Sequence, residues 1–457
     1  MNSYDIAIIG AGPGGSEAAL SARRHGLKVA LIDKSQAGGT CLNLGCIPTK
    51  TLLASAKHYV RMKATDRWGL AAGPLTFNWQ AILQRKEEIV RGIRNQLTQQ
   101  IKQAGVDWVG GCATLLGNQK IEITNPNGKK IIEAKNILLA TGSRPGTLFD
   151  LIFDSKHIFS SDDILSIEHV PQSLVILGAG AVGVEFASLF QAFGTQVTLL
   201  ERIDRILPLE DADCARRLET LFSRRGIEIV TSCKVKGIKK KGKGVGVILE
   251  NGREIEAEAV LLAVGRIRNL ENIGLEKLGV CIKKSGALEV DEFLETNVKG
   301  VYAMGDILDS PPLAHVASYE AECVISNLIS GKPKPVSYRA VPSSVYSDPE
   351  VAHVGTVGDI AEENLISVKI PFQAVAKAQI EAETEGFFKM VASRRDGELL
   401  QAAAIGAGVS ELMPEATLAI QKRLRVQDIA ETVHAHPTVS EILLIAAKAI
   451  VSKLKAL

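Results

Sequence analysis

The chain of 457 residues has no stretch of about 20 continuous apolar residues. Its longest apolar runs are broken by glycine and by Glu185, so no membrane span is expected. Surplus charge is missing as well, with a net charge of +2. No overall field calls for nucleic acid or an anionic membrane, and neither is expected as a partner. The basic cluster Lys239-Lys240-Lys241 flanks glycines and reads as a solvated hairpin tip. The N-terminal "MNSYDIAIIGAG" lacks a basic n-region and a small-residue cleavage site, and reads as a strand. The expectation is a soluble, cytoplasmic protein. Seven cysteines is an odd number, and Cys112, Cys214, Cys233, Cys281 and Cys323 are scattered. A secreted disulfide framework is not written that way. Only Cys41 and Cys46 stand close together, in "AGGTCLNLGCIPTK". A structural staple, half of a metal site and a cycling redox pair are the readings open to them. Zinc wants four ligands and a second close pair, and the sequence offers no such second pair.

What is present in quantity is glycine, 41 residues, clustered where tight turns are needed. The length sets a prior of about three domains. "YDIAIIGAGPGGSEAALSARRHGLKVALIDK" reads as strand, glycine turn, helix and strand. Gly10, Gly12 and Gly15 fit G-x-G-x-x-G: one glycine for the turn, one for close approach of a pyrophosphate, one for helix–strand packing. The helix N-terminus offers free N–H groups to phosphate. Asp33, ending the second strand, is placed to accept ribose hydroxyls. The pattern returns in "SLVILGAGAVGVEFASLFQAFGTQVTLLER" with Gly178, Gly180 and Gly183, and Glu201 ends its second strand. A carboxylate there binds a free 2′-hydroxyl and repels a 2′-phosphate, which favours NAD over NADP, although Arg202 follows directly.

Two such sites suggest a bound flavin and a nicotinamide substrate. "NILLATGSRP" brings Thr141 and Gly142 to a strand end. "NVKGVYAMGDI" ends in Gly305-Asp306, where a carboxylate could meet a ribityl chain. The order of these segments implies a first domain interrupted by a second and then resumed. "CIPTKTLLASAKHYVRMK" reads as a helix with Pro48 in its first turn, where the lost N–H does no harm. Cys46 then lies at a helix N-terminus, where the dipole favours a thiolate.

These motifs, above all "GGTCLNLGCIPTK" and "HAHPTVSE", make the whole chain resemble the FAD-dependent pyridine nucleotide–disulfide oxidoreductases. The acid Glu201 and the "HAHPT" form point to the branch that oxidises dihydrolipoamide, and no cysteine pair follows Cys323 as in mercuric reductases. The resemblance implies an α/β fold with two Rossmann-like dinucleotide-binding domains, for FAD and NAD, and an α+β C-terminal dimerisation domain. The implied boundaries are 1–147 for the first FAD part, 148–268 for NAD, 269–336 for the return to the FAD site and 337–457 for the interface. It makes Cys41 and Cys46 a redox disulfide, with Cys46 next to the flavin and Cys41 exchanging with substrate. Lys50 is implied to lie near the flavin ring and to pair with Glu185. Ala314 is implied to offer its backbone to the ring, and Gly265 to belong to the NAD site. His436 is implied to be the base that deprotonates a substrate thiol, and Glu441 its carboxylate partner, with the histidine supplied by the other subunit of a homodimer. The implied reaction passes electrons from a dihydrolipoyl group through the disulfide and FAD to NAD⁺. The lipoyl domains of acyltransferases or glycine cleavage carrier proteins are the implied partners. His434 reads as a positioning or packing residue. Asp33 stands where relatives often have Glu; the charge is kept.

Overall fold

The computed structural model describes residues 2–456 except 118, 150 and 243. The chain divides into two compact units, each assembled from separate stretches. The first holds residues up to Thr51, Ala81–Gly146 and Gly265–Ser337. The second holds Leu52–Gln80, Thr147–Val264 and Tyr338–Leu457.

In the first unit a parallel sheet runs in the order Asp107–Gly110, Val29–Asp33, Asn2–Ile9, Gly128–Leu139. Val, Ile, Leu and Ala run almost continuously through Val29–Asp33 and the C-terminal ends of Asn2–Ile9 and Gly128–Leu139, where the sheet is buried on both faces. Val301–Ala303 adds a further parallel strand against Ile137–Leu139, so the chain returns to this sheet after a long excursion. The helices Pro13–Arg24 and Ala314–Ser330 pack on one another. Gly14 permits this, since a Cβ there would lie 2.9 Å from the Ala317 carbonyl oxygen.

The second unit carries a five-stranded parallel sheet in the order Glu228–Val230, Gln196–Leu200, Ser173–Leu177, Ala259–Leu262, Ile158–Ser160. An antiparallel three-stranded sheet lies beside it in sequence. Its strand Val235–Lys241 ends in the three lysines, which are solvent-facing; Lys240 pairs with Asp154 and Lys241 with Glu254 and Glu256. A second five-stranded sheet, fully antiparallel, runs Pro342–Val345, Glu350–Gly355, Leu399–Gly406, Phe387–Ser393, Leu365–Pro371. One face is apolar, with Ala352, Val354, Phe388, Met390, Ala402 and Ala404 in a core that the helix Glu441–Lys455 completes. The other face carries a straight cross-strand row in register: Ser343, His353, Ala403, Lys389, Lys369. Among the described residues no helix is long and apolar enough to cross a membrane.

Candidate active site

The first glycine turn is closed by backbone. Gly10 sits at φ +106°, and a Cβ there would fall 2.2 Å from the Ala140 carbonyl oxygen. Only glycine tolerates both conditions. A Cβ on Gly15 would lie 1.8 Å from the Gly10 oxygen, so helix and strand touch at that point. Gly12, the residue before the helix Pro13–Arg24, has nothing nearer a would-be Cβ than Gly39 Cα at 4.0 Å. Its backbone is therefore open to a phosphate group. Asp33 Oδ2 accepts the Ala11 N–H at 2.7 Å, and Oδ1 accepts from the Ser35 N–H at 2.7 Å. The acid expected to read a ribose thus also braces the turn.

The two cysteines meet through a broken helix. Cys41 lies in the short helix Gly39–Leu44, and Cys46 is the first residue of the 18-residue helix Cys46–Lys63. Gly45 makes the break, and a Cβ on it would crowd the Thr40 oxygen at 3.1 Å and Cys41 Cα at 3.4 Å. The Cys41 and Cys46 sulfurs share a hydrogen bond. That bond and burial push the Cys41 thiol far above its ordinary value, and the nearby Lys50 charge opposes them. The loop is fixed on both sides. Gly38 N–H donates to the Ala11 oxygen at 2.8 Å, and a Cβ on Gly39 would lie 2.6 Å from Gly12 Cα. The Asn43 amide donates to the Ala37 and Gly39 carbonyls at 3.1 and 2.9 Å, and Arg94 donates to its oxygen at 3.2 Å. The thiol loop is packed directly on the first glycine turn. The bracing pair Asn43 and Arg94 is 51 residues apart, and nothing in the sequence pattern pairs them.

The return segment converges on the same turn. Thr141 N is 3.2 Å from a would-be Gly10 Cβ. The Thr141 hydroxyl donates to the Asn269 carbonyl at 2.7 Å, and Gly142 sits at φ +66° with open space around it. Gly305 precedes Asp306 at φ +74°, its N–H held by the buried Glu320 at 2.6 Å. Asp306 Oδ2 accepts from the Ser143 hydroxyl at 2.5 Å, and Arg266 Nε lies 2.6 Å from that hydroxyl and 3.7 Å from Oδ2. Ser143 and Arg266 escaped the sequence reading; only the antiparallel pairing of Ser143–Pro145 with Arg266–Arg268 brings them together. Ala314 opens the helix Ala314–Ser330, so its N–H belongs to a helix N-terminus. Gly265, at φ +119°, lies in this first unit, and its carbonyl accepts the Gly146 N–H at 2.9 Å.

The second glycine turn repeats the first. A Cβ on Gly178 would lie 2.3 Å from the Ala263 oxygen, and one on Gly183 1.9 Å from the Gly178 oxygen. Gly180, before the helix Ala181–Ala192, has open space where a Cβ would be. Glu201 Oε2 accepts the Ala179 N–H at 2.8 Å and Oε1 the Ile203 N–H at 3.0 Å. Glu185 is buried in that helix, and its Oε1 accepts the Tyr346 N–H at 3.0 Å. Lys50 belongs to the first unit and Glu185 to the second.

His436 Nδ1 faces both oxygens of Glu441, at 3.0 and 3.2 Å. Glu441 is the first residue of the last helix, and its Oε2 also accepts the Thr438 N–H at 3.0 Å. The Thr438 N–H and the imidazole hold this carboxyl below the ordinary carboxylate range. The imidazole itself remains 71% exposed, so Nε2 is turned toward whatever approaches. His434 is a strut instead: its side chain is buried, Nδ1 faces the Thr432 oxygen and Nε2 faces Glu415, each at 3.0 Å.

Two family models match. The pyridine nucleotide-disulphide oxidoreductase model covers residues 4–321, and the dimerisation domain of the same family covers 341–447. The chain is similar to the dihydrolipoyl dehydrogenase of Chlamydia trachomatis, 38% identical over 96% of this chain and 95% of the relative. It is 36% identical to a dihydrolipoyl dehydrogenase of Bacillus subtilis over 96% of each. Among solved structures it resembles LpdA of Mycobacterium tuberculosis, with TM-score 0.93 and 27% identity over 98% of this chain and 99% of that one. The HOCl-induced flavoprotein disulfide reductase RclA of Escherichia coli, solved as a Cu(II) complex, aligns with TM-score 0.89 and 28% identity, covering 98% of this chain and 100% of that one. With two dinucleotide turns, a dithiol seated on the first of them and matches along nearly its whole length, the chain belongs to the pyridine nucleotide–disulphide oxidoreductase family.

Proposed function

We propose that the protein oxidises protein-bound dihydrolipoyl groups to lipoyl groups and reduces NAD⁺, using FAD and a Cys41–Cys46 disulfide. The observation that carries this reading is the packing of the dithiol loop on the first glycine turn, with Gly39 against Gly12 and Gly38 bonded to Ala11. FAD fits the residues present: the open backbone at Gly12 and Gly142 leaves room for it, and a helix N-terminus stands at either side. Gly10, Gly12, Gly15 and Asp33 would hold its adenylate end; Thr141, Gly142, Asp306, Lys50 and Ala314 its flavin end. Gly178, Gly180, Gly183 and Glu201 would hold NAD. FAD supplies two-electron transfer between the thiol pair and the nicotinamide.

The protein's own residues do the thiol chemistry. A dihydrolipoyl thiol is mostly protonated near neutral pH and a weak attacker. His436, oriented by Glu441, takes its proton. The thiolate attacks Cys41 Sγ of the disulfide, and Cys46 leaves as a thiolate at its helix N-terminus. The second substrate thiol then attacks the mixed disulfide, and Cys41 leaves. The substrate departs oxidised and the enzyme holds two electrons as a dithiol.

The match to the family's dimerisation domain supports a homodimer. The finer proposal is that the partner subunit supplies the histidine, so each disulfide is served across the dimer. Lipoyl domains of acyltransferases or glycine cleavage carriers are the proposed partners, and the cytoplasm, whose reducing poise suits a cycling dithiol, the proposed compartment.

Anaerobic titration with dihydrolipoamide tests the reading. The expected result is a long-wavelength thiolate-to-flavin band after two electrons, and return of the starting spectrum with NAD⁺. A spectrum untouched by dihydrolipoamide but bleached by NADH would turn the assignment toward another disulfide substrate.

A further inference from the structure

Behind the second glycine turn, the loop from Glu201 to Asp211 is gripped by the antiparallel sheet. Glu210 is the anchor and is almost fully buried. Its Oε1 accepts the Ser343 hydroxyl at 2.7 Å, and its Oε2 lies 2.5 Å from His353 Nδ1. Asp211 caps the helix Ala212–Arg224 with Oδ1, accepting the Asp213 and Cys214 N–H groups, while Oδ2 takes Lys389 at 2.8 Å. Asp213 takes Lys389 and Lys369, each at 2.8 Å. Three acids within four residues thus meet the row Ser343, His353, Lys389, Lys369, which crosses all five strands in register.

From that anchor a continuous string of hydrogen bonds leads to the nucleotide turn. Glu210 N–H donates to the Leu207 oxygen at 3.0 Å, Leu207 N–H to the Ala179 oxygen at 2.8 Å, and Ala179 N–H to Glu201 Oε2 at 2.8 Å. Ala179 stands between Gly178 and Gly180, and Glu201 is the ribose acid. Whatever loosens Glu210 frees the segment that shapes both.

We infer that Glu210, with His353 and Ser343 behind it, is a positioning residue for the NAD site: the sheet holds the loop that sets Glu201 and the second glycine turn. This rests on the reading of that turn as the NAD site. His353 makes the grip titratable. Burial works against its protonation, but the bond to Glu210 prevails and the Asp211 charge adds to it, so the imidazole is raised above 6.5. Among the described residues, Asp213, Lys389 and Lys369 are the further charges along the same row, and the buried Cys214 lies beside Asp211. The charge assistance to the His353–Glu210 bond is present at low pH and is lost as pH rises through the raised His353 value, which weakens the grip.

The test is calorimetric titration of the oxidised holoenzyme with NAD⁺ between pH 6 and 9, a range in which NAD⁺ itself keeps its charge. The wild type should bind more weakly as pH rises, and His353→Gln should bind with a flat profile. Glu210→Gln should weaken NAD⁺ about 5- to 10-fold, in the range of ordinary coupling between sites, while Glu210→Asp recovers part of the loss. Flavin reduction by dihydrolipoamide, which needs no NAD⁺, should match wild type in all three. An unchanged Kd in folded Glu210→Gln, or a pH slope that is absent in the wild type or survives in His353→Gln, overturns the inference. If Glu210→Gln does not fold, the two pH profiles decide alone. A wild type that is reduced by dihydrolipoamide yet binds no NAD⁺ would overturn the reading of the second turn, and this inference with it.

Discussion

His436 keeps most of its imidazole in solvent while Glu441 holds Nδ1 from behind. A side chain placed that way adds little to packing, and in the proposed reaction its work is done on an incoming group. His436→Gln should therefore leave Tm within about 1 °C of wild type, as surface changes do. It should lower kcat/KM for dihydrolipoamide by roughly 100- to 10,000-fold, the usual contribution of a positioned base. Stopped-flow reduction by dihydrolipoamide, run beside thermal melts, checks both. Cys41→Ser is expected to abolish that reduction and keep NADH-driven dye reduction, since the serine hydroxyl cannot be attacked as a disulfide sulfur can. A variant that still oxidised dihydrolipoamide would sink the role given to Cys41. Residue by residue, types and spacings singled out Cys41, Cys46, Asp33 and Glu201, whereas the His436–Glu441 pair came only from the family resemblance. The double duty of the two acids was not legible. That Asp33 and Glu201 spend oxygens on Ala11 and Ala179 N–H groups is a property of turn geometry, and the letters alone do not carry it.

The glycine turns are best probed as elements, because each glycine has a different neighbour. A Cβ at Gly183 would strike the Gly178 oxygen, whereas one at Gly180 meets open space. Gly183→Ala should lower Tm by several degrees, with helix and strand forced apart. Gly180→Ala should fold normally and weaken NAD⁺ about tenfold, on the order of one ordinary interaction lost. Melting curves and NAD⁺ titration separate the two. The acidic helix start gives a pH prediction. Asp213 is held well below the usual carboxylate range: burial opposes this, but Lys369, Lys389 and Arg216 outweigh it. A depressed carboxyl stabilises the fold above its unfolded pKa of about 3.9 and loses that contribution as pH falls below it. Asp213→Asn should therefore melt lower than wild type at pH 7, and the gap should narrow toward pH 3. The helix Cys46–Lys63 was legible from end to end, because Pro48 and the cysteine mark its start. The row Ser343, His353, Lys389, Lys369 was not: its members lie on four strands, and only the register aligns them.

At the scale of the molecule, the proposed exchange of histidines across a homodimer has a direct test. Cys41→Ser and His436→Gln dimers, each inactive, are mixed under conditions that exchange subunits. If the histidine comes from the partner, half the sites of each hybrid are intact. Random pairing then restores about a quarter of wild-type activity, as closed two-fold symmetry requires. If thiols and base belong to one chain, mixing restores nothing. The repeat of the dinucleotide turn was evident in the sequence because glycine spacing is local, and the α/β class followed from the family resemblance. The assembly of each unit from separated stretches is a matter of contacts among distant residues, beyond any local pattern. That assembly bears on how the protein is made. The first unit needs residues as far along as Ser337 of 457, and its sheet is complete only when Val301–Ala303 joins it. A ribosome has therefore synthesised most of the polypeptide before this sheet is complete. Capture of the proposed flavin by the finished unit is then an event late in translation.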